Sequence, residues 1–209
     1  SRQFIGMLAG SLIIVILGMV DDKYDLDAKL KFVVQILAAA IPVSQGVVIR
    51  YISHPFGFLG IPYLSLGIFA IPVTIIWIVA LTNAVNFIDG LDGLSTGVCS
   101  ISSLSMGIIA LMLGQGSEAV VLGALLGACL GFLPYNFNPA KIFMGDTGAT
   151  FLGFMLGCMA VTGLFKLYAV ISFVVPILVL GVPLFDICFA CIRRMWHHVS
   201  PMHSDRSHI

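Results

Sequence analysis

The sequence predicts an all-α fold: a polytopic bundle of about seven transmembrane helices, in a single integral membrane domain over residues 1–209. Three observations carry that expectation. Charged residues make up only 10% of the chain and hydrophobic residues 59%, with a mean hydropathy of +1.09. A soluble domain carries about 25% charged residues. Apolar runs long enough to cross a hydrocarbon core of about 30 Å recur along the chain. The charges fall almost entirely between those runs.

The predicted spans are Phe4 to Val20, Phe32 to Val48, Leu66 to Val85, Leu94 to Leu113, Ala119 to Pro134, Ala149 to Phe165 and Leu167 to Ile192. Between the second and third lies Arg50 to Tyr63, rich in aromatics, Gly and Pro. It reads as an interfacial loop or short hairpin. No internal repeat or low-complexity tract stands out. Ser1 is not an initiator methionine, and the chain ends at Ile209 in a polar segment. Both ends therefore read as cut, and the chain as a fragment.

Alternation across the membrane puts 21–31, 86–93, 135–148 and the tail from Arg193 on one side. Seven of the ten Lys and Arg residues fall there: Lys23, Lys29, Lys31, Lys141, Arg193, Arg194 and Arg206. The positive-inside rule makes that side cytoplasmic. Eight acids share it: Asp21, Asp22, Asp25, Asp27, Asp89, Asp92, Asp146 and Asp205. Acids contribute little to topology, so their clustering points to a shared site. With zero net charge and no basic patch, nucleic acid is not an expected partner. Cys99, Cys129, Cys158, Cys188 and Cys191 lie in apolar runs and read as packing residues.

Three loops could carry chemistry, and each also has a plain reading. In Asp21-Asp22-Lys23, adjacent carboxylates repel unless a cation shares them; the plain reading is a cap on the next helix. Lys31 and Gln35 follow one turn apart and would face the same site. In 82–94, Asn83, Asn86, Asp89 and Asp92 are interleaved with Gly90 and Gly93, and the plain reading is a solvated turn. The two acids, three apart, would share a face of a helical turn. In 135–149, Gly145 and Gly148 flank Asp146 and Thr147 just before an apolar run. That is either an N-cap or a turn with N–H groups free for an anion. Hard oxygen donors without a Cys or His pair suit Mg²⁺ over zinc.

Taken together, these stretches resemble a known superfamily. Gly18-Met19-Val20-Asp21-Asp22 with Leu26, Lys31 and Gln35 is similar to the first signature of the polyprenyl-phosphate N-acetylhexosamine-1-phosphate transferases. Residues 83–94 (NAVNFIDGLDGL) are similar to the second, and 135–148 (YNFNPAKIFMGDTG) to the third. The tail Ser204-Asp205-Arg206-Ser207-His208-Ile209 resembles the start of a histidine-containing loop. The 137–141 and 205–208 stretches look like the branch that loads GlcNAc-1-phosphate onto undecaprenyl phosphate. That branch initiates teichoic-acid linkage units and other surface glycans. The superfamily also has helices upstream of the first signature, with a basic loop, and further histidines beyond the tail.

The resemblance implies transfer of a sugar-1-phosphate from a UDP-N-acetylhexosamine to undecaprenyl phosphate, releasing UMP. It implies a multi-pass protein of a bacterial plasma membrane, with its active site on the cytoplasmic face. Mg²⁺, or Mn²⁺, would be held by Asp146 and Asn86. Asp21, Asp22 and Asp146 would be catalytic. Lys31, Asn83, Asp89, Asp92, Asn136, Phe143, Arg206 and His208 would meet the substrates. The partners are the two substrates and the lipid bilayer, with a homodimer left open. An ion-coupled transporter and an inactive truncated relative are the competing classes.

Overall fold

A computed structural model describes residues 1–53 and 63–164. The seventh predicted span, Asp186, Arg206 and His208 lie outside these residues. The described chain is an all-α membrane bundle with one small β-ribbon. Its helices are α1 (Arg2–Tyr24), α2 (Ala28–Ser44), α3 (Ala70–Ile88), α4 (Leu94–Met112), α5 (Gly116–Asn136) and α6 (Gly145–Met159). A short 3-10 turn, Gly67–Phe69, leads into α3, and a π turn, Ala160–Leu164, continues α6.

Among the described residues, four segments are long and apolar enough to cross a membrane by length and composition: Arg2–Tyr24, Gly67–Ile88, Leu94–Met112 and Gly116–Asn136. The helix α2 has 17 residues and α6 has 15. Here the helix boundary differs from the apolar run. That run reaches Val48, but α2 ends at Ser44 and the chain turns through Gln45 and Gly46, whose φ is +96°. Hydropathy does not register that turn, and Val47 to Ile49 continue outside the helix. The expected hairpin is present, with β1 (Tyr51–Ser53) antiparallel to β2 (Tyr63–Ser65) and Tyr51 opposite Ser65.

The helices alternate in direction. As a result the C-terminal ends of α1, α3 and α5 meet the N-terminal ends of α2, α4 and α6 at one end of the bundle. The main packing partners are α1 with α2 and α6, α3 with α6, and α4 with α5. Near the centre, Phe154 of α6 is fully buried and comes so close to Gly10 of α1 that a Cβ there would lie 2.6 Å from its ring. Gly153 lies as close to the α3 backbone, since its Cβ would be 2.6 Å from the Leu81 carbonyl oxygen. Small residues at such crossings let membrane helices approach closely. In contrast, α5 exposes most of its surface, with Val120 and Leu130 outward.

Candidate active site

The site begins with how closely α1 approaches the start of α6. A Cβ on Gly18 would lie 2.4 Å from Thr147 Cα and 2.8 Å from Thr147 N. Only glycine fits there, and the contact brings the Asp21-Asp22 pair against Asp146-Thr147.

The two aspartates then diverge. Asp22 is exposed and turns to α6. Asp146 N donates to its Oδ1 at 2.8 Å, and Thr147 N and Oγ1 donate to its Oδ2 at 3.2 and 2.6 Å. The first N–H groups of a helix lack internal partners and carry partial positive charge. Asp22 supplies their acceptor from a different helix. So the Gly145–Gly148 turn does not hold its N–H groups free for an external anion; Asp22 occupies two of them. Gly145 makes that turn with φ +67°, and a Cβ on it would meet the Asp22 carboxylate at 3.0 Å.

Asp21 is buried and turns the other way. It accepts from Leu26 N at 2.9 Å and from Lys31 Nζ at 2.8 Å. The same ammonium lies 3.7 Å from Asp146 Oδ2. Lys31 thus sits between two carboxylates from α1 and α6 and offsets part of the repulsion between them. Asp146 stands ahead of the apolar part of α6, where its carboxyl interacts with Asn86 of α3, Asp21 and Lys31. Desolvation first, then Asp21, push its carboxyl up to about 6, while Asn86 and Lys31 act against the rise. No group of three or more His, Cys, Asp or Glu residues that could hold a metal stands among the described residues. The oxygens of Asp146 and Asn86 are nevertheless hard donors from one carboxylate and one amide. That set fits Mg²⁺, which takes one or two carboxylates and completes its shell with water and substrate phosphates.

The second loop behaves differently from the spacing argument. The helix α3 stops at Ile88, so Asp89 and Asp92 do not share a helical face. Asp89 accepts from Ser95 Oγ at the start of α4. Burial, the largest influence, pushes it up to about 6; Ser95 opposes this and Asp22 adds to it. Asp92 reaches the third loop, accepting from Ala140 N at 2.9 Å and Asn138 Nδ2 at 3.4 Å.

Asn136 is 3% exposed. Its Oδ1 accepts from Gly93 N at 3.2 Å and Thr96 Oγ1 at 2.7 Å, and its Nδ2 donates to the Ile142 carbonyl at 3.1 Å. It therefore braces the second loop against the third. Asn83 is tied to Gln35 of α2 by two hydrogen bonds. Phe143 is 74% exposed at the rim, beside exposed Ile142 and Lys141. Thr147, named with Asp146 as a possible cap, belongs to the site, and so do Ser95 and Thr96, which the sequence did not single out. Their one signal was position: small hydroxyl residues in the first turn of a helix that follows an acidic loop.

The sequence matches the family described as Glycosyl transferase family 4 over residues 4–164. A Bacillus subtilis (strain 168) protein, named "Probable undecaprenyl-phosphate N-acetylglucosaminyl 1-phosphate transferase", is 44% identical over 203 residues. The match covers 96% of this chain and 55% of that protein. A Mycolicibacterium smegmatis decaprenyl-phosphate N-acetylglucosaminephosphotransferase is 37% identical, over 97% of this chain and 54% of its own length. A Moorella thermoacetica phospho-N-acetylmuramoyl-pentapeptide-transferase is 45% identical over 127 residues, covering 60% of this chain and 40% of its own length. The chain spans about half the length of the first two relatives.

Proposed function

The chain belongs to glycosyl transferase family 4, and from that premise we propose that it supplies the catalytic face of an enzyme moving a sugar-1-phosphate onto a polyprenyl phosphate. The name of the Bacillus subtilis relative points to GlcNAc-1-phosphate as the group moved and undecaprenyl phosphate as the acceptor. The donor is a UDP-N-acetylhexosamine and the second product UMP. The product starts a surface glycan such as a teichoic-acid linkage unit. Residues 1–209 form one part of a single integral membrane domain. The protein sits in a bacterial plasma membrane, with the acidic end of the bundle in the cytoplasm, where a soluble nucleotide sugar meets a lipid phosphate.

One observation carries the reading: Lys31 stands between Asp21 and Asp146, 2.8 and 3.7 Å away, at the end of the bundle where every described helix begins or ends. In the reaction, an acceptor phosphate oxygen forms a bond to the phosphorus bearing the sugar. The bridging P–O bond of the pyrophosphate breaks, and UMP leaves with that oxygen. The barrier is mainly electrostatic, because anions must approach one another and charge gathers on the bridging oxygen. Lys31 presents ammonium hydrogens to a phosphate, and Asp21 aims that ammonium. Asp146, with Asn86, would hold Mg²⁺ or Mn²⁺, which when bound offsets the charge on the pyrophosphate. Asp22 holds the α6 N-terminus so that Asp146 projects into the site. Phe143 offers an exposed aromatic face to a planar base, and Asp89 and Asp92 shape the neighbouring loops. Arg206 and His208 would close the rim from the tail.

The carboxylates described at this end do not fit an ion-coupled path, which needs charged groups near the bilayer midplane. The test is UMP release by the full-length protein in membranes given UDP-GlcNAc and undecaprenyl phosphate, with and without Mg²⁺. Release that depends on both substrates and on the ion is expected. No release, or release indifferent to the lipid, would overturn the proposal.

A further inference from the structure

The amide pair Gln35–Asn83 lies beside the carboxylate cluster, and the chemistry above does not use it. Gln35 is 3% exposed. Its Oε1 accepts from Asn83 Nδ2 at 2.6 Å, and its Nε2 donates to Asn83 Oδ1 at 3.3 Å. Asn83 Nδ2 gives its other hydrogen to the Val79 carbonyl at 2.8 Å. An amide nitrogen has two hydrogens, so the donor side of Asn83 is spent inside the bundle. The resemblance places Asn83 among the substrate contacts, whereas its geometry joins two helices.

Those two helices carry site groups in register with the pair. Gln35 is one turn beyond Lys31 on α2, and Asn83 is three residues before Asn86 on α3, so each shares a face with a site residue. Slipping α2 by one residue would turn Gln35 about 100° and move it about 1.5 Å. Buried Gln35 would then lose both of its bonds to Asn83, which is unfavourable. The pair therefore admits one register of α2 on α3.

We infer that Gln35 and Asn83 are positioning residues. They lock α2 against α3 so that Lys31 is held between Asp21 and Asp146 on the side of Asn86, and neither touches substrate. This rests on the transferase reading, and the test separates the two. In the full-length protein, Gln35→Leu, Asn83→Leu, Gln35→Asn and Asn83→Gln should each lower kcat about tenfold, the range of one interhelical hydrogen bond in a membrane. The KM for UDP-GlcNAc should stay within about twofold, since bound substrate is not contacted. The exchange variant Gln35→Asn/Asn83→Gln restores a paired set of amides and should recover most of the rate. A tenfold rise in KM at unchanged kcat would make Asn83 a substrate contact and overturn the inference. So would an exchange variant no faster than its parents.

A thermal double-mutant cycle on the two leucine variants reads the tie without catalysis. Non-additive melting shifts are expected, and additive ones would overturn the lock. If the unsubstituted protein released no UMP, the transferase reading would fail, and the cycle would still decide whether the lock exists.

Discussion

A methyl group at position 18 probes the junction that assembles the site. It would lie 2.4 Å from Thr147 Cα and 3.2 Å from the Asp146 carbonyl carbon, whereas ordinary contact begins near 3.4 Å. Neither neighbour is a flexible side-chain tip, so α1 and α6 must part by about 1 Å. The bonds that Asp22 accepts are now 2.8, 3.2 and 2.6 Å long. Parting by about 1 Å takes all three to or past the 3.5 Å limit of a useful hydrogen bond. Overpacking costs about 1–3 kcal/mol, and the better helix propensity of alanine returns about 1 kcal/mol. The three bonds to the Asp22 carboxylate are lost as well, so Gly18→Ala should melt clearly below the parent. Its rate should fall further, on the order of 10²-fold, because a shift of about 1 Å misplaces Asp21 and Asp22 relative to Asp146. The assay is UMP release in membranes, paired with a melting curve in detergent. Gly127→Ala, on a face of α5 with nothing within 4 Å, is the control: it should leave turnover unchanged and melt slightly above the parent, by the same helix propensity. Full turnover by Gly18→Ala would refute the idea that this contact sets the site.

Four further outcomes are expected. Asp21→Asn should harm stability and turnover more than Asp22→Asn, because Asp21 is buried and its loss leaves Lys31 facing only the more distant Asp146; equal, small effects would reduce both to helix caps. Asp146→Asn should lose about 10²-fold or more in rate and alter the Mg²⁺ dependence, and an unchanged metal response would remove Asp146 as the anchor. Asp89, raised to about 6 from 3.8, holds its proton more tightly when folded, so its contribution is fully present below about pH 4 and is lost as pH rises through 6. Solvent screening leaves about 1 kcal/mol of that, so Asp89→Asn should raise the melting temperature at pH 7.5 and not at pH 4; a gain equal at both would contradict the shift. Single cysteines replacing the exposed Asp25 and Ser117 in a background without native cysteines should label from opposite sides, whereas labelling from one side would break the alternation of the helices.

Hydropathy and loop chemistry determined a good deal without coordinates. Apolar runs locate helices because in a bilayer the backbone has no other way to satisfy its hydrogen bonds. The positions of α1, α3, α4, α5 and α6 follow from that. Charged residues cannot lie in those runs cheaply, so the chemistry was expected in 21–31, 83–94, 135–148 and the polar tail. Tertiary structure decided which partner each residue takes. Asp22 caps a helix 124 residues away, and nothing local to Asp22 names that helix. Asp89 and Asp92 part company because α3 ends at Ile88, and Asn136 turns inward to brace two loops. Lys31 is shared by Asp21 and Asp146 only because Gly18 lets α1 reach α6. A residue type and its spacing state what a side chain can bond to. The choice among acceptors is made by which helix ends meet, and that depends on contacts between residues far apart in the chain.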